Sequence, residues 1–173
     1  KDEPFKKYGL YALRHSYYTT VSSYMKDVVL KYGSECAILP NEVDTHLFKN
    51  DLTRRIEGTF RLITVCAIRE GKRLDVAFEA LKILRDKNFD VHLDIIGDGF
   101  YESIFKQSAS NIGVEDMVTF HGRKEKEELP AYFEKSHALL ISSEIESFAI
   151  PGIEALASGL PVISTDCGGP SDF

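Results

Sequence analysis

Long apolar runs and paired cysteines are both missing from this 173-residue sequence. No stretch of about 18 apolar residues occurs, so the sequence predicts no transmembrane helix. Residues 1–9 are polar and no apolar segment follows them, so no signal peptide is expected. The three cysteines, Cys36, Cys66 and Cys167, lie far apart and lack metal-ligand spacing, which favours buried thiols in a reducing cytoplasm.

The sequence also has no excess of basic residues. It contains 21 lysines and arginines and 27 aspartates and glutamates, which gives a net charge of −6. Such a chain is not expected to bind nucleic acid, which usually requires a basic surface. Hydrophobic residues make up 43% of the chain and charged residues 28%, so the sequence can bury a core. A local basic loop could still hold an anionic small molecule.

The chain changes character near residue 40. Residues 4–33 are predicted to be helical, with Gly33 as the stop, and residues 35–39 are predicted to form a short strand. A polar connector that begins at Pro40 follows, and the domain boundary is expected between residues 40 and 60.

From residue 61 onward, alternating apolar runs and helical patterns predict an α/β domain. The predicted strands are 61–68, 91–97, 117–122, 137–142 and 160–165. Helical segments join them, so the strands should pair in parallel, with helices on both faces of a Rossmann-like sheet. In the first of these helices, Val76, Ala80, Ile83 and Leu84 are expected to face the core. Sheets of this kind bind ligands outside the carboxyl ends of their strands.

Two loops at those strand ends have residues suited to binding an anion. The loop after the first strand contains Arg69, Lys72 and Arg73, which suit either a phosphate or a merely solvated loop. After the second strand, Gly97 and Gly99 allow either close approach of a ligand or a tight turn.

The third and fourth strands lead to a histidine and to two glutamates. His121 precedes Gly122 and Arg123, and this lone histidine is expected to be a hydrogen-bonded structural residue. Glu146 follows the fourth strand, and Glu154 lies in the next helix with seven residues between the two. The helix start adds unpaired amides and a positive dipole end. The carboxylates can therefore accept hydrogen bonds from two hydroxyl-rich parts of one ligand, while the amides meet a phosphate.

The stretch around the two glutamates resembles the E-x7-E signature of retaining glycosyltransferases with the GT-B fold, in particular family 4 (glycosyltransferases group 1). The matching residues are Ser143, Glu146, Ser147, Phe148, Glu154, Ala155, Gly159, Pro161, Val162, Ile163, Gly168 and Gly169. The connector is similar to the one between the two domains of such enzymes, at Pro40, Asn41, Val43, Asp44 and Phe48. Further family motifs match at Lys72, Gly97, Asp98, Gly99, His121 and Gly122.

This resemblance implies a binding site for a nucleotide-sugar donor. It implies that Glu146 contacts hydroxyls of the transferred sugar, that Glu154 binds the ribose hydroxyls, and that Lys72 neutralises the leaving diphosphate. Glu146 and Lys72 are thus the implied catalytic residues. The other implied donor-binding residues are Arg69, Arg73, Gly97, Gly99, Gly122, Arg123, Ser143, Ser147, Phe148 and Ala149. No metal ion or other cofactor is expected.

The resemblance also implies a two-domain enzyme of which this chain is a truncated piece. Residues 1–37 would be a helical remnant of the N-terminal acceptor domain, residues 38–60 the connector, and residues 61–173 the donor-binding domain, the C-terminal half of a GT-B fold. The implied reaction is retaining sugar transfer to a glycan, lipid-linked or small-molecule acceptor held by the missing domain. The implied location is cytoplasmic, with peripheral association at the inner face of the membrane in the full-length form.

Three positions depart from the family pattern. Ala67 stands where the family has an arginine, and Glu42 and Ala149 stand where it has glycine. The missing arginine favours an alternative, a non-catalytic module of the same ancestry that binds a nucleotide or a protein partner. A dehydrogenase on the same kind of sheet is disfavoured, because Glu102 occupies the third glycine position of the dinucleotide pattern.

Overall fold

The computed structural model describes residues 17–50 and 57–173. Strand β1 (Tyr18–Thr20), helix α1 (Ser23–Lys31) and strand β2 (Cys36–Ile38) come first. The two strands pair in parallel as a small sheet of their own. Ser22 caps α1, because its hydroxyl accepts the backbone N–H of Met25.

The helix expected over residues 4–33 is therefore wrong at Tyr18–Thr20, which is a strand, and residues 4–16 lie outside the described part of the chain. Pairing with β2 overrides the local helical pattern, as sheet contacts often do for β-branched residues. The helix begins only after the Ser22 cap. The strand expected at residues 35–39 is confirmed as β2.

The main sheet has five parallel strands, as the alternating pattern predicted. These are β3 (Phe60–Val65), β4 (Val91–Ile96), β5 (Val118–Phe120), β6 (Ala138–Ile141) and β7 (Val162–Ser164). Their spatial order is β5-β4-β3-β6-β7, with β3 at the centre. The chain first builds outward on one side of β3 and then crosses to build on the other side. The reversal between β3 and β6 is the switch point at which such sheets bind ligands.

Helices cover both faces of this sheet, also as predicted. They are α2 (Leu74–Asp86), α3 (Glu102–Ile112), α4 (Leu129–Phe133) and α5 (Ile150–Ala157), with short 3-10 turns at Glu70–Lys72, Glu115–Met117, Lys126–Glu128 and Gly169–Asp172. Successive residues of β3 point into two separate cores. Leu62 packs in the core formed with α2 and α3, whereas Ile63 packs in the core formed with α4 and α5. Among the described residues, no helix is long and apolar enough to cross a membrane.

The face that helix α2 turns to the core overlaps the expected face only in part, since Leu84 packs against the core as expected. Its buried residues are Leu74, Ala77, Phe78 and Leu81, whereas Ala80 and Ile83 are exposed. Both sets have helical spacing, so periodicity alone did not separate them. The observed orientation buries two leucines and a phenylalanine, and therefore removes more apolar surface from water.

The connector between the two sheets packs against the main sheet. The ring of Phe48 is only 1% exposed, and its centroid lies 5.9 Å from that of Phe133 on α4. Asp44 starts this turn by accepting the backbone N–H groups of His46 and Leu47, and these bonds hold its pKa below the usual value. The connector is thus anchored in the core on the α4 and α5 side.

Phe48→Ala should lower the free energy of unfolding by about 3–5 kcal/mol, because it empties a filled core position. The matched control is Phe100→Ala, since Phe100 is fully exposed and its loss should change stability by no more than about 0.5 kcal/mol. Denaturant-induced unfolding measures both. Equal effects of the two substitutions would show that the connector does not share the core.

Candidate functional site

An open cavity of about 480 Å³ lies at the switch point between β3 and β6. Cys66 and Ala67 line it after β3, and Ser143 and Glu146 line it after β6. Asn41 contributes from the connector. The cavity therefore lies at the carboxyl edge of the sheet, where the sequence predicted the functional residues.

Lys72 and Glu146 meet in this cavity. The Lys72 Nζ lies 2.5 Å from the Glu146 Oε1, and Ser143 donates its hydroxyl to the same oxygen at 2.6 Å. Both charged side chains are only 14% exposed, so the pair is largely removed from water. The structure thus brings together three of the predicted site residues from two loops.

Two hydrogen bonds to backbone carbonyls hold those two loops side by side. Ser142 donates its hydroxyl to the carbonyl of Lys72 at 2.8 Å, and the Glu144 N–H donates to the carbonyl of Gly71 at 2.9 Å. Ser142 is buried, so the first of these bonds is shielded from water. The position of Lys72 relative to Glu146 therefore does not depend on their side chains alone.

Residues distant in sequence support the Glu146 loop from its other side. The Glu146 N–H donates to the carbonyl of Cys167 at 2.7 Å, and the Gly169 N–H donates back to the Glu146 carbonyl at 2.9 Å. Ser22, which is fully buried, donates its hydroxyl to the carbonyl of Ser147 at 2.5 Å. Sequence reasoning missed Ser22, because it precedes the loop by 125 residues and no local motif marks it.

Glu154 is a buried carboxylate without a hydrogen bond from any described residue. It is 5% exposed, and the nearest charge is the Lys126 Nζ, 3.9 Å from its Oε1. Burial raises the pKa of this carboxyl, and the nearby ammonium of Lys126 opposes that rise. Glu154 does not itself line the cavity, but it lies three and four residues after Pro151 and Ile150, which do, and is their neighbour along α5.

The start of α5 presents free amides beside Lys72. Within the described residues, no protein acceptor takes the backbone N–H groups of Ser147, Phe148 or Ala149. All three residues line the cavity. Such amides at a helix N-terminus favour an anion, as the sequence predicted for this stretch.

Ala149 adopts an unusual backbone conformation at this helix start. Its φ of 70° and ψ of 72° lie in the left-handed region, which alanine rarely adopts. Alanine in place of glycine therefore introduces backbone strain at a residue that lines the cavity.

A second cavity of about 310 Å³ adjoins the first and shares Cys66, Ala67 and Pro151 with it. Gly97 and Arg123 also line it. A Cβ on Gly97 would lie 1.8 Å from the carbonyl oxygen of Cys66, so only glycine fits there.

The glycines of this region close the turn between β4 and α3. The Gly97 N–H donates to the carbonyl of Gly122 at 2.8 Å, which fastens the loops after β4 and β5 to each other. A Cβ on Gly99 would lie 2.2 Å from the carbonyl oxygen of Ile68. The tight-turn interpretation therefore accounts for Gly99, while Gly97 serves the turn and also borders the cavity.

The arginines of the basic loop do not join Lys72. The Arg73 guanidinium pairs with Asp75 at 3.0 Å and lines a different cavity, together with Tyr101 and Glu144. Arg69 is exposed. Lys72 is therefore the residue of this loop whose charge lies against Glu146.

His121 is hydrogen-bonded, as expected for a structural residue. Its Nε2 lies 2.6 Å from the Asp94 Oδ1, and Arg61 donates two guanidinium nitrogens to the same buried carboxylate. These three side chains border a groove of about 890 Å³ on the α4 side.

The cysteines are free, with Cys167 buried and Cys36 and Cys66 half-buried. Burial raises the pKa of the Cys66 thiol. In the part of the chain that the structure describes, no cluster of histidine, cysteine and carboxylate side chains is arranged to hold a metal ion.

Comparison with known protein families shows which family this chain belongs to. Residues 49–173 match the family described as Glycosyl transferases group 1. The chain belongs to this family, as the motifs around Glu146 and Glu154 had indicated.

Two curated relatives illustrate the similarity in sequence. The GDP-mannose-dependent alpha-(1-6)-phosphatidylinositol monomannoside mannosyltransferase of Mycobacterium tuberculosis is 31% identical over 169 residues, covering 87% of this chain and 44% of that protein. The amylovoran biosynthesis glycosyltransferase AmsK of Erwinia amylovora is 29% identical over 133 residues, covering 73% of this chain and 33% of that protein. The chain thus spans less than half the length of either relative.

Solved structures share the fold. The apo lipopolysaccharide outer core galactosyltransferase WaaB superimposes with a TM-score of 0.76 at 25% identity, over 90% of this chain and 45% of that one. HepE of Anabaena in complex with UDP and glucose gives a TM-score of 0.81 at 19% identity, over 99% of this chain and 52% of that one. The five-stranded α/β architecture is therefore that of GT-B glycosyltransferases.

Ala149→Gly should raise the free energy of unfolding by up to about 1 kcal/mol, because glycine adopts the left-handed conformation without strain. The matched control is Ala80→Gly, on the exposed face of α2, which should lower stability by about 0.8–1 kcal/mol. Thermal or denaturant unfolding measures both changes. Loss of stability in both variants would contradict the strained conformation of Ala149.

Proposed function

We propose that this chain is the donor-binding part of a retaining glycosyltransferase that uses a nucleotide-sugar. The observation that carries the proposal is the Glu154 carboxylate, which is buried with no hydrogen bond from a described residue, one helical turn after Ile150 and Pro151 in the lining of the cavity of Lys72 and Glu146. A buried carboxylate that accepts no hydrogen bond calls for an explanation, and ribose hydroxyls would supply the missing donors. HepE, which shares the fold, was solved with UDP and glucose.

The site offers a separate place for each part of such a donor. Glu146 would accept hydroxyls of the transferred sugar, and Glu154 would accept the ribose hydroxyls. The diphosphate would lie between them, against Lys72 and the free amides at the start of α5. The adjoining cavity, with Arg123, would receive the base.

The chemistry follows from the charge that the reaction creates. Cleavage of the bond between sugar and phosphate leaves negative charge on the departing diphosphate, and a fixed cation with oriented amides stabilises it as it forms. Lys72 would be close to that position before the donor arrives, because Glu146 and the loop contacts orient it. The ammonium would then lie between the Glu146 carboxylate and the diphosphate.

The domain division is part of the same proposal. Strands β1 and β2 form their own sheet, which supports assigning residues 1–37 to an acceptor domain, with residues 38–60 as the connector. The acceptor would be a glycan, a lipid-linked glycan or a small molecule bound by that domain. The location would be cytoplasmic, with peripheral association at the inner face of the membrane for a lipid-linked acceptor.

A second candidate is a nucleotide-binding module without turnover. It is favoured because the cavity has fewer cationic side chains than the family pattern implies. Ala67 replaces the family's arginine, and Arg73 is paired with Asp75 at a different cavity. Transfer assays on the full-length protein with UDP-, GDP- and ADP-sugars separate the two. Nucleotide-sugar binding without transfer to any acceptor would favour the second candidate.

Lys72→Ala should weaken binding of the preferred nucleoside diphosphate at least about tenfold, or roughly 1.4 kcal/mol, because a charge-assisted contact is lost. Binding of the bare nucleoside should change much less, since it has no phosphate. Titration calorimetry on the full-length protein measures both. Lys82→Ala is the control, because Lys82 forms an exposed pair with Asp86. Intact diphosphate binding in Lys72→Ala, together with its loss in Arg69→Ala, would move the phosphate contact to Arg69.

Glu154→Gln should reduce nucleotide affinity about tenfold or more, because ribose would lose a charged acceptor worth roughly 1.5–3 kcal/mol. Stability should stay the same or rise at pH 7. The raised pKa of Glu154 means that the folded state holds the proton more tightly than the unfolded chain, so the ionised form costs stability. Calorimetry and unfolding measure the two effects, with exposed Glu127→Gln as the control. Unchanged affinity would reject the ribose assignment.

A further inference from the structure

Lys126 is the charged partner of Glu154, although it belongs to a different element. The Lys126 Nζ lies 3.9 Å from the Glu154 Oε1, and the carboxylate is 6% exposed while the lysine side chain is 49% exposed. One end of the pair is therefore in the core and the other reaches water. No family motif discussed above includes Lys126.

The backbone of Lys126 is fixed by a capping box. Glu125 caps the 3-10 turn Lys126–Glu128, and the Glu125 N–H donates to the Glu128 carboxylate at 2.8 Å. The Lys126 Nζ also lies 5.7 Å from the ring centroid of Phe48, within range of a cation–π contact. The connector and the turn before α4 thus direct this ammonium toward α5.

Apolar side chains pack around Ala155, the residue that follows Glu154 in α5. Phe48 from the connector, Phe133 from α4 and Leu160 before β7 belong to the same core cluster as the α5 residue Ala155. Lys126 is the charged group that acts on Glu154 among the described residues. The charge of Lys126 also lowers the pKa of Asp44 in the connector, so Asp44 is a second carboxylate that interacts with this ammonium.

We propose that Lys126 is a positioning residue for ribose recognition, which keeps the buried Glu154 carboxylate ionised and available as a hydrogen-bond acceptor. The inference rests on the proposed function, because it assumes that Glu154 receives the ribose. Lys126 itself need not touch the nucleotide.

The physical reason is the opposition of two effects on one carboxyl group. Burial raises the pKa of Glu154, and the positive charge of Lys126 lowers it. A protonated carboxyl group would offer a weaker acceptor to the ribose hydroxyls than a carboxylate does. As the pH is lowered, nucleotide binding should therefore weaken at a higher pH in a protein without Lys126 than in the parent protein.

The test measures nucleotide-sugar binding from about pH 5 to pH 8 in the full-length protein, its Lys126→Ala and Lys126→Arg variants, and Glu154→Gln. The probes are UDP-glucose, GDP-mannose and ADP-glucose, whose diphosphate has no second ionisation in this range. Lys126→Ala should bind at least about threefold more weakly at the acidic end and nearly normally at pH 8, the size expected for a partly exposed ion pair. Lys126→Arg should restore the parental profile, and Glu154→Gln should abolish the acidic loss.

Carbon-13 NMR of the Glu154 carboxyl group, assigned by its loss in Glu154→Gln, tests the same coupling without any ligand. Its titration should move to higher pH in Lys126→Ala and remain near the parental midpoint in Lys126→Arg. Lys82→Ala, which removes a distant exposed pair, should leave it unchanged.

Two results would overturn the inference alone: an unmoved Glu154 titration in Lys126→Ala, or an affinity loss in that variant that is the same at every pH. The second would mean a direct or purely structural role for Lys126. Failure of the parent protein to bind any of the three nucleotide-sugars would instead reject the proposed function, and the ribose role of Lys126 with it.

Discussion

The parallel pairing of β3 with β6 is the constraint on which the candidate site depends. These strands are far apart in the chain, yet they lie side by side at the centre of the sheet, with Ile63 opposite Leu139. Their exit loops therefore emerge at one edge, and only there can Lys72 reach Glu146. A hydrogen bond from the Ser142 hydroxyl to the Lys72 carbonyl and one from the Glu144 N–H to the Gly71 carbonyl join the two loops independently of the Lys72 and Glu146 side chains.

The two glutamates of the candidate site differ in their hydrogen-bond partners. Glu146 has two hydrogen-bond donors, because Lys72 and Ser143 both bind its Oε1. Glu154 is buried with a single charge at 3.9 Å, and no described residue donates a hydrogen bond to it. Burying a charged group without donors costs free energy. The lack of donors distinguishes Glu154 from Asp94, whose carboxylate Arg61 binds at two points.

Segments outside the main sheet complete the site. Ser22 precedes α1 and donates to the carbonyl of Ser147, inside the run of free amides. Phe48 fills the core beneath α4 and lies under the ammonium of Lys126. The site is therefore not confined to the loops at the strand ends. A rearrangement of the small β1–β2 sheet relative to the main sheet would move Ser22, and with it one support of the Ser147 backbone.

Local patterns in the sequence determined the class of fold and the strand and helix order from residue 61 onward, and they indicated the family, because strand periodicity, turn glycines and the spacing of Glu146 and Glu154 are short-range properties. They did not determine which face of α2 is buried, since two sets of apolar residues have the same spacing, nor that Tyr18–Thr20 is a strand, since its partner lies beyond α1. Only the tertiary structure decided that Lys72 alone of the basic loop meets Glu146, and that Lys126 lies beside Glu154. Side-chain direction and long-range pairing depend on contacts between elements distant in sequence, and no local pattern records those contacts.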